Sequence, residues 1–154
     1  MEYILGEKPE GCVFCTAFSA EPTQDEAHLI LHRGTHCGVI MNLFPYNNGH
    51  LMVVPYAHQP TFEAMFPEAL AEVLILVNRA TASLRDALDA QGFNIGVNIG
   101  KSAGAGIADH VHMHVVPRWA GDTNFLTTVG CARCIPQELK DSYEKLKAAW
   151  DKST

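Results

Sequence analysis

Hydrophobic and polar positions fall into two periods along this chain. HLILHR (28–33) and HCGVIMNL (36–43) carry runs typical of strands, with Gly34 in the turn between them. FPYNNG (44–49) is dense in turn residues, and HLMVVPY (50–56) reads as a third strand. A hairpin therefore joins 36–43 to 50–56. The period then changes. Leu70, Val73, Leu74, Val77, Leu84 and Leu88 recur at near-helical spacing, which predicts one amphipathic helix over 67–90. Pro67 suits its first turn and Gly92 its stop. FNIGVNIG (93–100) predicts a fourth strand, KSAGAGIAD (101–109) a Gly/Ala loop, and HVHMHVVP (110–117) a fifth strand ended by Pro117. IPQELKDSYEKLKAAW (135–150) predicts a C-terminal helix. Strands arrive as hairpins, with one long helix between the third and fourth. The pattern is α+β with a five-stranded, mainly antiparallel sheet, not repeated βαβ units.

The 154 residues suit one domain, with a core over about 12–130 and the C-terminal helix at 135–150. A formal net charge of −6 argues against nucleic-acid polymers and anionic membranes as partners. A small phosphate-bearing ligand remains compatible with it, because one site can be electropositive on an acidic protein. No apolar run approaches a membrane span. The start, MEYILGEKPEG, lacks the features of a signal peptide, so the cytoplasm is the expected location. Four of the five cysteines form two C-x-x-C pairs, Cys12/Cys15 and Cys131/Cys134. In a reducing compartment such pairs read as metal ligands or a redox pair.

The sharpest local feature is His110-Val111-His112-Met113-His114-Val115-Val116. On a strand, His110, His112 and His114 share one face at steps of about 6.6 Å, and Val111, Met113 and Val115 share the other. That stripe has three readings: a solvated polar face, a metal site, or nucleophilic catalysis by a neutral imidazole. The adjoining Ser102-Ala103-Gly104-Ala105-Gly106 offers backbone N–H groups with little side-chain obstruction. It reads either as an anion-binding nest or as a tight sheet connection.

HVHMHVV resembles the His-x-His-x-His signature of the histidine triad family. CVFC, MNLFPYNNGHLMVVPYAH, the Gly/Ala loop and PRWAGDTNF extend the resemblance over about residues 12–130. Within the family, the sequence is most similar to the bacterial diadenosine tetraphosphate phosphorylases and the fragile-histidine-triad hydrolases. The resemblance implies the family's α+β fold, a homodimer that joins two sheets, and a nucleotide substrate. It implies cleavage of dinucleoside polyphosphates at the α-phosphate through a nucleotidyl-histidine intermediate, with water or phosphate as acceptor.

Residue by residue, the resemblance makes His112 the nucleophile. It makes His114 a ligand of phosphate oxygens that assists the leaving group, and His50 a histidine bordering the same site. Asn42 matches the position that binds ribose hydroxyls, or else it ends a strand. Asn98 and the loop residues Ser102, Gly104, Ala105 and Gly106 match the phosphate-facing segment. Trp119 matches an aromatic beside the site, or else a core or dimer residue. One departure concerns Gly106, where many hydrolase members carry Gln and phosphorylase-like members Ser. Other readings are a nucleoside phosphoramidase or general nucleotidyl hydrolase, a nucleotide sensor with little turnover, and a zinc-dependent hydrolase.

The resemblance also implies a structural zinc site of Cys12, Cys15, His58 and His110. A four-thiolate site with Cys131 and Cys134 competes with it, as do free thiols with no metal. No organic cofactor is expected, and magnesium would enter only with the substrate polyphosphate. Cys37 is expected in a buried strand, and His28, His32 and His36 at surface or edge positions.

Overall fold

The computed structural model describes residues 11–123 and 137–152. Five strands form one antiparallel sheet: β1 (Ile30–Arg33), β2 (Cys37–Met41), β3 (Leu51–Pro55), β4 (Gly92–Val97) and β5 (Met113–Arg118). Their order is β1-β2-β3-β5-β4, so the connection from β3 to β4 passes over β5. Three helices accompany them among the described residues: α1 (Val13–Ser19), α2 (Pro67–Leu88) and α3 (Leu139–Lys152). The fold is α+β, as the patterning predicts.

Both faces of the central strands are covered. This explains why LMVVP in β3 is a continuous apolar run rather than an alternating one, with every residue buried. On one face, α2 lays Val73, Leu76, Ala80 and Leu84 against Val39, Leu51, Val53 and Val115. The C-terminal α3 closes that side with Tyr143, Leu146 and Trp150. The Tyr143 hydroxyl donates to the Ile30 carbonyl at 3.0 Å, and the Arg79 guanidinium lies 4.4 Å over the Trp150 ring. The opposite face carries α1, whose Phe14 and Ala17 cover Ile30, Ile40, Met52 and Val54. Arg33 fastens α1 by donating to the Phe18 carbonyl at 2.7 Å and the Ala20 carbonyl at 3.0 Å. Gly38 leaves room beneath it, since a Cβ there would lie 2.2 Å from the Phe18 ring and force that ring to shift.

Several boundaries differ from the sequence reading. Helix α1 is absent from that reading, because its seven residues are too few for a periodic signal. The long helix starts at Pro67 as expected but ends on Asp89, which takes the left-handed conformation at φ 52°. Gly92 is instead the first residue of β4. The C-terminal helix begins at Leu139 rather than 135, and residues 135 and 136 lie outside the described residues. Strand β5 begins at Met113, so His110 and His112 occupy the segment leading into it.

Candidate active site and metal centre

Cys12 caps the N-terminus of α1 and Cys15 sits one turn on, so both thiols meet the chain at His110. Cys12 Sγ is 3.1 Å from His110 Nδ1, Cys15 Sγ is 3.6 Å from the same nitrogen, and Cys15 Sγ is 3.4 Å from His58 Nδ1. The four ligand atoms all lie within 4.8 Å of one another. Tetrahedral zinc bonds of about 2.0–2.3 Å place ligand atoms roughly 3.5 Å apart, so this spacing fits such an ion. His110 Nε2–H donates to the Pro55 carbonyl at 2.8 Å, which leaves Nδ1 with its lone pair toward the thiols. Burial lowers the His110 pKa and keeps the ring neutral, as a ligand must be. Cys131 and Cys134 of the competing four-thiolate arrangement lie outside the described residues.

Two residues on, His112 is 6% exposed. Its Nδ1 is 2.9 Å from the His110 carbonyl. A carbonyl only accepts, so Nδ1 carries the proton and Nε2 holds the free lone pair. Phe14, between the two cysteines, packs its ring on His112 at 4.9 Å and on His110 at 5.4 Å. Burial also lowers the His112 pKa.

A second chain of contacts fixes His114. The Tyr46 backbone N–H donates to His50 Nδ1 at 3.1 Å, and Asn42 Nδ2 reaches the same nitrogen at 3.3 Å. Nδ1 of His50 is therefore an acceptor, and its Nε2–H donates to His114 Nδ1 at 2.9 Å. His114 is left with an N–H on Nε2. His50 is fully buried, and its pKa falls to about 3 through desolvation and then its neighbours His114 and His112. The His114 pKa falls to about 4 for the same first reason, then through His112. At neutral pH one imidazole thus offers a lone pair and its neighbour a proton donor. The two rings are 4.7 Å apart.

A cavity of about 440 Å³ opens beside these two rings, between α1 and the sheet. Phe14, Ile40, Met52, Leu29 and Ile107 make its walls largely apolar, while Asn42, His112 and His114 supply polar groups. Of the sequence candidates, Asn42, Gly106, His112 and His114 line this cavity, and His50 stands behind His114. Asn98, Ser102, Gly104 and Ala105 are absent from its wall. The amides of residues 103, 104 and 105 donate to the carbonyls of Gly100 and Lys101, so the expected phosphate cradle has spent these donors within the loop. Trp119 takes the core alternative. Its Nε1–H donates to the Leu88 carbonyl at 3.1 Å and its ring packs on the α2 core, away from the cavity.

Phe14, Tyr46 and His28 belong to this region without having been singled out as site residues. Phe14 was visible as the aromatic inside CVFC. Tyr46 stacks on both His50 and His114 from within the FPYNNG turn. His28, expected at an edge, lines the cavity.

The HIT domain profile matches residues 23–121, and the chain belongs to that family. The AP-4-A phosphorylase of Mycobacterium tuberculosis is 42% identical over 126 residues, a match that covers 82% of this chain and 65% of that protein. An adenylylsulfatase of Arabidopsis thaliana is 30% identical over 118 residues, covering 73% of this chain and 57% of that one. The chain thus spans less than two thirds of both relatives. Among solved structures, a zinc-bound histidine triad family protein from Mycobacterium smegmatis superposes with a TM-score of 0.74 at 27% identity, over 92% of this chain and 94% of that one.

Proposed function

We propose that this protein is a nucleotidyl hydrolase or transferase that cleaves dinucleoside polyphosphates at the α-phosphate, with His112 as nucleophile. The observation that carries the reading is the pairing of opposite tautomers at one cavity wall. The His110 carbonyl leaves His112 Nε2 free to attack, and the His50 relay leaves His114 Nε2–H free to donate. The relative named for AP-4-A phosphorylase supports the substrate class.

In this reading, a nucleotide lies in the cavity with its ribose at Asn42. His112 Nε2 attacks the α-phosphorus. A P–N bond forms, and the P–O bond to the bridging oxygen breaks. The electron pair leaves with the remaining polyphosphate, which is a stable anion and needs no obligatory proton. His114 Nε2–H stabilises charge on the phosphate oxygens or the leaving oxygen. Water or phosphate then takes the nucleotidyl group from His112. Such displacement rests mainly on positioning and charge stabilisation, which two fixed imidazoles provide. Gly106 lines the cavity without a side-chain donor, so the two imidazoles carry more of that task.

Cys12, Cys15, His58 and His110 would hold a structural zinc. As four protein ligands, these residues would tie α1 to the segment before β5 through the ion and would give it a structural rather than a catalytic role. We read residues 1–154 as one HIT domain, with its core over about 12–130. A homodimer would join two sheets along the β4 edge, where Ile95 and Ile99 are exposed. No helix among the described residues is long and apolar enough to cross a membrane. A thiol-bound metal suits a reducing compartment such as the cytoplasm.

The test is a product assay with diadenosine tetraphosphate, with and without inorganic phosphate, alongside His112→Ala. ATP plus AMP in plain buffer identifies a hydrolase, and ATP plus ADP only with phosphate identifies a phosphorylase. Binding without turnover by the wild type would instead favour a nucleotide sensor. Equal turnover by His112→Ala would overturn the assignment of the nucleophile.

A further inference from the structure

Polar side chains on four neighbouring strands and their flanks fall in a spatial order that the sequence does not reveal. His112 and His114 belong to β5 and the segment before it. The next strand over is β3, preceded by His50. Beyond it lies β2, followed by Asn42, and beyond that β1, preceded by His28. The register makes this row continuous. His114 pairs with Met52, Met52 with Ile40, and Ile40 with Ile30. The Asn42 amide donates to the His50 carbonyl at 2.9 Å, and the Met41 amide to the Leu29 carbonyl at 2.9 Å, which carries the ladder to the tips.

Met52 and Ile40 form the cavity wall along this row. His28 stands two residues past Ile30 on one side of this row, level with Asn42, and His112 two residues before His114 on the other, so the path from the phosphate-binding imidazoles past the ribose position to His28 runs diagonally across the sheet. Three strand spacings across and four residues along amount to roughly 20 Å between the backbones of His112 and His28, a distance that the two side chains and one nucleoside monophosphate fill together.

His28 is half-buried and lines the cavity together with Ala27 and Leu29. Its backbone N–H donates to the Gln24 carbonyl at 3.1 Å, which holds the segment in place. Its imidazole has no hydrogen-bond, ion-pair or ring partner among the described residues. Leu29, next to it, takes the left-handed backbone conformation at φ 58°. A non-glycine residue there is strained, and such strain concentrates where a ligand wall must be shaped. The other polar groups of the wall are engaged. Asn42 is placed at the ribose, His112 and His114 at the phosphate, and Tyr46 stacks on His50 and His114.

We infer that His28 is the residue that reads the nucleobase. It presents a ring that both donates and accepts hydrogen bonds on the opposite side of the Met52–Ile40–Ile30 row from His112. The walls around it stack on the base faces without distinguishing one base from another, and His28 distinguishes their edges. This inference rests on the nucleotide reading of the cavity and adds to it a source of base selectivity.

The test is calorimetric binding of AMP, GMP, CMP and UMP to wild type, His28→Ala and His28→Gln, with ribose 5-phosphate as a ligand that lacks the base. The wild type prefers one base. In His28→Ala the spread among the four nucleotides collapses by about tenfold or more, the range of one lost hydrogen bond in a buried site. His28→Gln, which also donates and accepts, keeps a spread but reorders the bases. Ribose 5-phosphate binds all three proteins alike, which shows that the variants fold and that the loss is confined to the base. An unchanged order and spread in both variants would overturn the role of His28 alone, as would equal binding of all four nucleotides by the wild type. Failure of the wild type to bind any nucleotide or ribose 5-phosphate would overturn the reading of the cavity itself.

Discussion

Acid should loosen this fold through its buried imidazoles. His50 and His114 titrate near 6.5 when exposed, and burial lowers them to about 3 and about 4 in the folded chain. The unfolded chain therefore binds more protons below pH 6.5. Stability is fully present above that pH and is lost as pH falls from 6.5 toward the folded values. At pH 5 both groups remain neutral when folded and are nearly fully protonated when unfolded. Each then costs about 2 kcal/mol, and the pair about 4 kcal/mol. That is a large part of the roughly 5–15 kcal/mol typical of a folded protein. Urea unfolding at pH 7.5, 6 and 5 measures the fall. His32, His110 and His112 are also lowered by burial and add to the wild-type slope, so a variant is needed to isolate the pair. His50→Phe keeps a ring of similar size but removes one titrating group. It pays a fixed cost at every pH for the Tyr46 N–H it strands, and its fall between pH 7.5 and 5 is about 2 kcal/mol smaller than wild type's. An equal fall in the two proteins would refute the assignment of His50 as a neutral, buried relay.

Other outcomes follow from single contacts. Glu72 accepts the backbone N–H groups of Thr35, His36 and Cys37 at 2.5–2.9 Å, so Glu72→Ala should cost about 2–3 kcal/mol in urea unfolding. Gly38→Ala pushes the Phe18 ring off β2. It should cost about 1–3 kcal/mol and weaken nucleotide binding, with Phe18→Leu recovering part of both. Elemental analysis should find one zinc per chain, lost in Cys15→Ser. Zinc at a hundred times its Kd should raise wild-type stability by about 2.7 kcal/mol and leave Cys15→Ser unmoved.

Much of the fold was legible because its signals are periodic. The apolar run in HLILHR and the helical spacing from Leu70 to Leu88 depend on burial in the core, and burial leaves a pattern in one sequence. The short α1 did not, because seven residues hold fewer than two turns. The end of α2 was misread because Asp89 adopts the left-handed conformation usually left to glycine, while Gly92 was free to open a strand. The candidate site divides in the same way. His110, His112, His114, Cys12 and Cys15 stood out by chemical type and spacing. The separation of His110 toward the thiols from His112 and His114 toward the cavity follows from the acceptors at Pro55 and His110, which are main-chain carbonyls without any residue signature. Trp119 carries no mark in sequence that tells a core indole from a ligand-facing one. The hydrogen bond to Leu88 decides it. His28 was hidden for the converse reason, since only strand order brings residue 28 into line with residues 42 and 50.

The central claim is that His112 carries the nucleotidyl group during turnover. The direct measurement is rapid acid-free quenching of the wild type with diadenosine tetraphosphate, followed by mass spectrometry of the intact chain and of its peptides. The account predicts a transient gain of one adenylyl group on the peptide that contains His112, appearing with the first equivalent of ATP and absent from His112→Ala. Turnover by the wild type with no adduct at any time, or an adduct that persists in His112→Ala, would contradict it.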